Sequence, residues 1–367
     1  MSQSPPPRRV VVLGFDGVDP DFLDMWADEL PHIRKLRKDG SFRRLHTTTP
    51  PASCTAWTSF ATGMDPGGHG IFDFIYRDPK TYLPDRTGAV SEKAEYLWGL
   101  FQTKPETFST TMSGEPFWKL LDRSGLRSVV LRVPCVFPLA EMDQGFIEAG
   151  LGAPDVRGSE GTFHYYSTAL TPREAADPAL GGKVVALDRG PEIESYVEGP
   201  ADPLSEKFER LRTELRLRPV GKDALEIELG GRRQTVKKGR WSEWFRMSFK
   251  VSAFSSITGM GRFRVIEVEP EIRLYLSPVN YDPADPAIRV TEPFGYSSEL
   301  HAAVGDHKTV GWNHETWGLN EERIDEDAFM EDVFDTMRKT EEITLHELDN
   351  RRAELFISVF VETDRTS

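Results

Sequence analysis

The chain has few cysteines and no excess of positive charge, and these two shortages exclude several classes of protein. Cys54 and Cys135 are the two cysteines among 367 residues, too few for a disulfide framework or a cysteine-built zinc site. We therefore expect reduced thiols and a cytoplasmic location. The formal net charge of -14 argues against nucleic acid or an anionic membrane as a partner, because both require a basic surface.

Long apolar runs are also missing from the sequence. The first apolar run is interrupted by Gly14 and Asp16, so it is too short for a membrane span or a signal peptide. Apolar residues make up 38% of the chain and aromatic residues 11%, which predicts a globular protein with no membrane partner. A chain of 367 residues favours two domains, or one large domain with an insertion.

Strand and helix patterns alternate at both ends of the chain. Residues 9–15 form an apolar strand pattern, and helical spacing follows up to Gly40. An amphipathic helix is predicted at residues 115–122, and an apolar strand at residues 128–133. This alternation predicts an α/β fold with a largely parallel sheet flanked by helices.

The middle of the chain changes to a period of two. Alternating apolar and polar residues run from about residue 221 to 281, with Gly230 and Gly231 placed as a hairpin turn. We predict a β-rich insertion over residues 161–290. Within this insertion, a charged helix at residues 205–217 is expected before the alternating segment. This insertion is expected to cover part of the strand-end edge of the sheet.

The α/β pattern returns after the insertion. Residues 1–160 are expected to form the N-terminal part of the α/β core, and residues 291–367 its continuation. A long helix is predicted at residues 326–350, because apolar residues recur there at helical spacing. It leads into a final apolar strand at residues 354–361.

Two aspartates follow apolar strands at opposite ends of the sequence. Asp16 comes directly after the first strand, and Asp364 comes after the last one. In open parallel sheets, ligands and metals bind at the C-terminal ends of the strands. The pattern makes Asp16 and Asp364 candidates for a shared metal site, although Asp16 also fits a turn and Asp364 also fits a solvated terminal charge.

A serine stands where a loop becomes a helix. Ser53 begins a helical segment that Gly63 ends. The amide groups and positive dipole end at a helix N-terminus favour an anion such as a phosphate oxygen. A hydroxyl needs a nearby base or metal to act as a nucleophile. Ser53 is therefore a candidate nucleophile, and its structural alternative is an N-cap.

Four other residues could take part in function, but structural roles are expected for them. We expect His69 to be structural and Asp155 to hold a turn. Trp241 and Trp244 are expected to pack against a sheet rather than to stack on a nucleic acid base.

Four motifs in this order resemble the alkaline phosphatase superfamily, specifically its type I phosphodiesterase/nucleotide pyrophosphatase-like branch with its predicted phosphohydrolase/phosphomutase members. They lie at residues 13–17, 50–63, 66–74 and 360–365. The resemblance implies an alkaline-phosphatase-like fold and metal-dependent hydrolysis of a small phosphate mono- or diester. The reaction would proceed through a covalent phosphoserine.

The resemblance also implies roles for particular residues. Asp16 and Asp364 match metal ligands of the family, and Ser53 matches its nucleophile, which is also a ligand. Two divalent ions are expected in the complete family site, and zinc is the expected metal. The resemblance leaves the substrate, the oligomeric state and the occupancy of the site in this chain open.

The sequence departs from the family pattern near its end. The family has a histidine four residues after the aspartate that matches Asp364, but this chain ends at Ser367. None of its eight histidines stands at a matching position. We therefore expect a C-terminally truncated family member. The alternative function is a catalytically inactive homologue that acts as a binding or regulatory domain.

Two further features of the sequence bear on the expected substrate and reaction. Phe74 stands where the nucleotide pyrophosphatase subgroup has an asparagine that holds a phosphoryl oxygen, so nucleotide diesters are less favoured as substrates. Residues 15–17 also suggest a haloacid-dehalogenase-type phosphatase. That chemistry requires aspartates that flank one residue, and Gly14 occupies the place of the first.

Overall fold

The computed structural model describes residues 9–92, 95–97, 101–104, 106–171, 174, 181–205, 207 and 209–366. The described helices are α1 Pro20–Met25, α2 Pro31–Asp39, α3 Ser53–Thr62, α4 Pro66–His69, α5 Phe117–Arg123, α6 Tyr296–Val304, α7 Thr316–Asn320, α8 Glu326–Asn350 and α9 Glu362–Arg365. The described strands are β1 Val10–Phe15, β2 Ile75–Arg77, β3 Pro84–Arg86, β4 Ala89–Glu92, β5 Glu95–Leu97, β6 Phe101–Lys104, β7 Thr107–Thr110, β8 Ser128–Leu131, β9 Phe146–Glu148, β10 Phe163–Ser167, β11 Gly182–Ala186, β12 Ile193–Ala201, β13 Arg210–Val220, β14 Ala224–Leu229, β15 Arg232–Lys237, β16 Arg240–Trp241, β17 Phe245–Lys250, β18 Ser256–Gly261, β19 Phe263–Glu267, β20 Arg273–Leu276, β21 Asn280–Tyr281, β22 Thr291–Glu292 and β23 Leu355–Phe360.

The central sheet joins the two ends of the chain. Its strand order is β1-β23-β8-β9-β22. β1, β23, β8 and β9 pair in parallel, and β22 adds an antiparallel edge. The predicted α/β class with a largely parallel sheet is confirmed. Because β1 and β23 are parallel neighbours, the C-terminal ends of both strands lie at one edge of the sheet.

β23 is a central strand, and β1 is an edge strand. Residues 355–359 of β23 are buried, as expected for an apolar strand covered on both faces. The ring of Phe15 stacks on that of Phe360, with centroids 5.4 Å apart. In contrast, Val11 and Leu13 of β1 are nearly half exposed, so the outer part of this sheet presents an apolar surface.

The middle of the chain forms mostly antiparallel sheets. The described residues between 163 and 281 form sheets with the strand orders β11-β10-β20-β19-β16, β12-β13-β14-β15 and β17-β18-β21. The predicted hairpin is confirmed, because β14 and β15 pair across Gly230 and Gly231, which have positive φ angles. The division into domains at residues 160 and 290 stays a prediction.

The charged helix predicted at residues 205–217 is wrong. β13 begins at Arg210 and pairs with both β12 and β14. Leu215 and Leu217 are buried while Arg216 between them is exposed, which is the alternation of a strand with one face covered. Residues 206 and 208 of the predicted helix lie outside the described residues.

The structure also corrects the expectation of reduced thiols. Cys54 and Cys135 form a disulfide, with their Cα atoms 5.2 Å apart. A cytoplasmic location stays a prediction, and it loses the support that reduced cysteines gave it. In the part of the chain that the structure describes, no helix is long and apolar enough to span a bilayer.

A buried histidine predicts how stability depends on pH. Burial, followed by the charge of Arg132, lowers the pKa of His307 from 6.5 to about 3. The folded state therefore binds fewer protons than the unfolded state between these values. The resulting stabilisation is complete above pH 6.5 and is lost as the pH falls towards 3.

We expect His307→Gln to make the protein less sensitive to acid. At about pH 4 the lost stabilisation of His307 corresponds to about 3 kcal/mol, so the wild type should lose that much more than the variant between pH 7 and pH 4. Urea unfolding at the two pH values measures this difference. His32→Gln, a change at an exposed position of α2, is the control. Equal acid sensitivity of wild type and His307→Gln would contradict the prediction.

Candidate active site

The end of β1 brings Asp16 to the start of α3. Ser53 Oγ donates a hydrogen bond to Asp16 Oδ2 over 3.0 Å, and Trp57 Nε1 donates to Asp16 Oδ1 over 3.0 Å. Ser53 and Trp57 are four residues apart, so they lie on the same face of α3. Both carboxylate oxygens of Asp16 are therefore held by the helix that carries Ser53.

Two glycines allow these close approaches. A Cβ at Gly14 would lie 2.5 Å from Cη2 of Trp57, and a Cβ at Gly17 would lie 2.7 Å from the Cα of Asp364. Gly17 also has φ of +70°, a conformation that glycine adopts without a steric penalty. Gly14 and Gly17, on either side of Asp16, are thus required by the packing of the site.

Ser53 is directed into the site and does not cap its helix. The N-cap residue of α3 is Ala52, and no side chain caps this end. The N-cap interpretation of Ser53 is therefore wrong. The first amide groups of a helix have no partner within it, so the start of α3 places N–H donors and the positive dipole end beside the Ser53 hydroxyl.

Asp364 lies at the same edge, in the first turn of α9. The hydroxyl of the preceding residue, Thr363, donates to the backbone carbonyl of Asp16 over 2.5 Å. Burial raises the pKa of the Asp364 carboxyl; the charge of Arg365 opposes this shift, and the negative charge of Asp16 adds to it. The structure thus brings Asp16, Ser53 and Asp364 together, while their roles as ligands and nucleophile stay predictions.

A buried histidine and glutamate near this edge were missed from the sequence. His314 Nε2 lies 3.7 Å from Glu362 Oε1, and both side chains are buried. Among the described residues, neither His314 nitrogen and neither Glu362 oxygen has a hydrogen-bond partner. Burial raises the pKa of Glu362, but His314, a backbone amide and the charge of Arg132 together keep the pKa below its ordinary value. No signal in the sequence connects two residues so far apart.

The other residues singled out from the sequence have structural roles. His69 is buried, with Ser59 Oγ 2.9 Å from its Nε2 and the amide of Ile71 donating to its Nδ1 over 3.1 Å. Asp155 holds a turn, because it accepts the amide of Ser159 over 2.9 Å. Trp241 packs against α8 and donates to a backbone carbonyl there over 3.3 Å. Trp241 also packs edge-to-face on Tyr275 of β20, with ring centroids 6.0 Å apart. The structural interpretations of His69, Asp155 and Trp241 agree with these contacts, and that of Trp244 stays a prediction.

The site supplies oxygen ligands for a cation, but few of them. Asp16 and Asp364 contribute carboxylates, and Ser53 contributes a hydroxyl. Burial is the main cause of the raised pKa of Asp364, with a smaller contribution from the charge of Asp16, and Arg365 Nη1 already lies 3.4 Å from Asp364 Oδ2. Within the described ranges, no group of three or more His, Cys, Asp or Glu side chains forms a metal cluster. Asp16, Ser53 and Asp364 offer too few ligands for the two ions of the complete family site, and the binding of a metal by these three residues stays a prediction.

The α/β fold with its largely parallel sheet is consistent with the alkaline-phosphatase-like architecture that the resemblance implies. Residues 10–185 match the family model described as type I phosphodiesterase / nucleotide pyrophosphatase. The predicted resemblance is confirmed over this part of the chain, which contains Asp16 and Ser53. Asp364 lies outside the matched residues.

Two curated relatives extend this comparison. The chain is 28% identical over 127 residues to the human (Homo sapiens) ectonucleotide pyrophosphatase/phosphodiesterase family member 1 and 27% identical over 127 residues to that of Rattus norvegicus. Each match covers 34% of this chain and 12% of the relative. The chain thus spans about an eighth of the length of these relatives. No solved structure matches the chain significantly.

Proposed function

We propose that this chain carries the nucleophile-bearing part of a phosphohydrolase that cleaves a small phosphate mono- or diester through a covalent phosphoserine. The observation that carries the proposal is the hydrogen bond from Ser53 Oγ to Asp16 Oδ2, 3.0 Å long, at the start of an uncapped helix. The nucleophile Ser53, the proton acceptor Asp16 and the helix amides that stabilise an anion then belong to one site. The similarity to phosphodiesterases and nucleotide pyrophosphatases supports the same class of reaction.

The chemistry assigned to the side chains has two displacement steps. In the first, Ser53 Oγ attacks phosphorus and its proton passes to Asp16 Oδ2. An oxygen–phosphorus bond forms, the bond to the leaving oxygen breaks, and that oxygen takes up the proton from Asp16 Oδ2. In the second, water attacks the phosphoserine and releases phosphate or a phosphomonoester, which restores the Ser53 hydroxyl. Trp57 keeps the carboxylate of Asp16 oriented throughout.

A divalent metal completes the proposed site. Asp16, Ser53 and Asp364 would hold it, and zinc is the metal that we propose. When bound, such an ion neutralises negative charge on the reacting oxygens and makes a hydroxyl more acidic. The chain's own part is to hold two carboxylates beside the hydroxyl, at a strand edge where burial already disfavours the charge of Asp364.

The proposed substrate class is based on the net charge of the chain and on the side chain of Phe74. The net charge of -14 disfavours nucleic acid, so a small phosphate ester is the proposed substrate. Phe74 contributes an apolar ring, which packs edge-to-face on Trp312 with centroids 6.1 Å apart. A phenyl ring donates no hydrogen bond to a phosphoryl oxygen, so we propose that nucleotide diesters are poor substrates.

The test compares zinc binding and turnover in the wild type and Asp16→Asn. We expect the wild type to bind zinc in calorimetry and to hydrolyse p-nitrophenyl phosphate or bis(p-nitrophenyl) phosphate when zinc is supplied. A chelator should abolish the turnover. Asp16→Asn keeps the shape of the side chain but loses its charge, so its zinc affinity should fall by about a hundredfold or more.

The control is Asp28→Asn, which makes the same change at a side chain that is 93% exposed. It should bind zinc and turn over ester as the wild type does. Zinc binding without turnover of either ester would favour the alternative of a catalytically inactive binding or regulatory domain. An unchanged zinc affinity in Asp16→Asn would refute the assigned metal ligand.

A further inference from the structure

A buried disulfide lies next to Ser53. Cys54 follows Ser53 in the first turn of α3, and Cys135 lies in the loop that leaves β8. The bond joins residues 81 positions apart, and the two side chains are 5% and 8% exposed. The cross-link therefore anchors the end of the helix that carries the nucleophile to the end of the central sheet.

The first turn of α3 has few other anchors. Its N-cap residue is Ala52, and no side chain supplies the capping hydrogen bond that usually stabilises a helix start. The side chain of Ser53 is half-buried and donates to Asp16. This hydrogen bond and the disulfide of Cys54 thus fix the start of the helix.

The partner of Cys54 is itself firmly held. The amide of Cys135 donates to the carbonyl of Leu151 over 2.7 Å. Its φ of 61° lies in the left-handed region that residues other than glycine seldom adopt. Cys54, Cys135, Leu151 and Ile71 form one buried cluster. Cys135 is therefore a defined anchor point and not a mobile end of the cross-link.

We propose that the Cys54–Cys135 disulfide positions Ser53 for attack and that its reduction by a dithiol lowers the catalytic rate reversibly. This inference rests on the proposed function of Ser53. In the reduction, the sulfur–sulfur bond breaks, each cysteine sulfur gains a hydrogen, and the dithiol is oxidised to its own disulfide.

Reduction must move the first turn of α3. Two sulfur atoms that are no longer bonded must separate to van der Waals distance. The surrounding cluster, however, is packed around a bonded pair. A displacement of about 1 Å at a reacting group can cost about 100-fold in rate. A cavity of about 10 Å³, lined in part by Cys54, Cys135, Phe74 and Glu160, lies beside the bond. It is too small for a dithiol, so a reductant reaches the bond only after local opening.

The first measurement compares oxidised and reduced protein. After purification in air, thiol titration of the denatured chain should find no free thiol, and after reduction it should find two. We expect reduction to lower kcat by about 10- to 100-fold, because the Ser53 hydroxyl leaves its attacking position. Re-oxidation should restore kcat. Two free thiols in the protein purified in air would overturn the proposal.

Two variants separate positioning from general packing. The double variant Cys54→Ala/Cys135→Ala should have the low kcat of the reduced protein and should not respond to reductant. Ile71→Val removes one methylene from the same buried cluster but keeps the cross-link, so it should respond to reductant as the wild type does. A double variant with the kcat of oxidised wild type would contradict the positioning role.

A second readout does not depend on turnover. Amide hydrogen exchange should become faster in the first turn of α3 after reduction and stay unchanged in α8. Equal exchange of α3 in both states would overturn the inference. If turnover depends on Ser53 but not on the disulfide, this inference fails alone. If Ser53→Ala remains fully active, the proposed function fails, and exchange at α3 still reports on the cross-link.

Discussion

Replacing Ser53 by alanine is expected to lower the turnover of a phosphate ester by about three orders of magnitude or more. The change removes the atom that forms the bond to phosphorus, and loss of a nucleophile costs far more than loss of a positioning contact. Asp16 keeps its hydrogen bond from Trp57, so the rest of the site should stay in place. Initial rates with a chromogenic ester and added zinc measure the effect.

Controls for Ser53→Ala distinguish lost chemistry from lost structure. Ser248→Ala makes the same substitution at an exposed position of β17 and should retain full turnover. Protein quenched in acid during turnover should carry a phosphate group on the peptide that contains Ser53, and the variant should carry none. Equal rates for wild type and Ser53→Ala would refute the covalent mechanism.

The convergence of the two chain ends could be predicted because it follows from strand direction. Parallel strands end at the same edge of a sheet, so two apolar strands followed by Asp16 and Asp364 already placed these carboxylates together. Trp57 could also have been found, because it lies one helical turn after Ser53. The sequence contains enough information for this part of the site because each contact depends on one regular element.

The disulfide and the His314–Glu362 pair could not be predicted in the same way. Cys54 and Cys135 are 81 residues apart, and two cysteines alone are equally consistent with free thiols. His314 lies in the loop after α6 and Glu362 directly after β23, and the two side chains approach to 3.7 Å. Such contacts are set by the tertiary arrangement of several elements, to which a single-sequence pattern is blind.

Helix α8 and strand β13 show when the spacing of apolar residues is sufficient to predict secondary structure. Helix α8, Glu326–Asn350, was predicted at residues 326–350, because apolar residues keep helical spacing over many turns. In the structure, the side chain of Asp325 caps this helix by accepting the amide of Ala328. Within β13, Leu211 and Leu215 are four residues apart and therefore fit a helix as well. The neighbouring Leu217 also fits a period of two, and pairing with strands on both sides decides between the patterns.

A buried ion cluster on α8 carries the largest expected effect on stability. Lys308 Nζ donates to Asp332 Oδ1 over 2.6 Å and to Oδ2 over 2.8 Å, and Arg262 Nη2 donates to Asp332 Oδ1 over 2.9 Å. The side chain of Asp332 is 0% exposed. Burial raises its pKa, but the charges of Lys308 and Arg262 outweigh burial and keep the pKa below its ordinary value.

We expect Asp332→Ala to lower the free energy of unfolding by about 3–5 kcal/mol, because it leaves two buried cations without their shared carboxylate. Urea unfolding at neutral pH measures the change. Asp335→Ala is the matched control on the same helix, since Asp335 also pairs with Arg262 but its side chain is 40% exposed. This control should cost less than about 1 kcal/mol.

The double variant Lys308→Met/Asp332→Leu tests the physical cause. It removes the carboxylate and one of its cations together, so fewer unpaired charges remain buried than in Asp332→Ala. An apolar pair of similar size can replace a buried ion pair at little cost, and the two substitutions should therefore be less destabilising together than Asp332→Ala alone. A double variant at least as unstable as Asp332→Ala would show that the carboxylate acts through packing rather than through its charge.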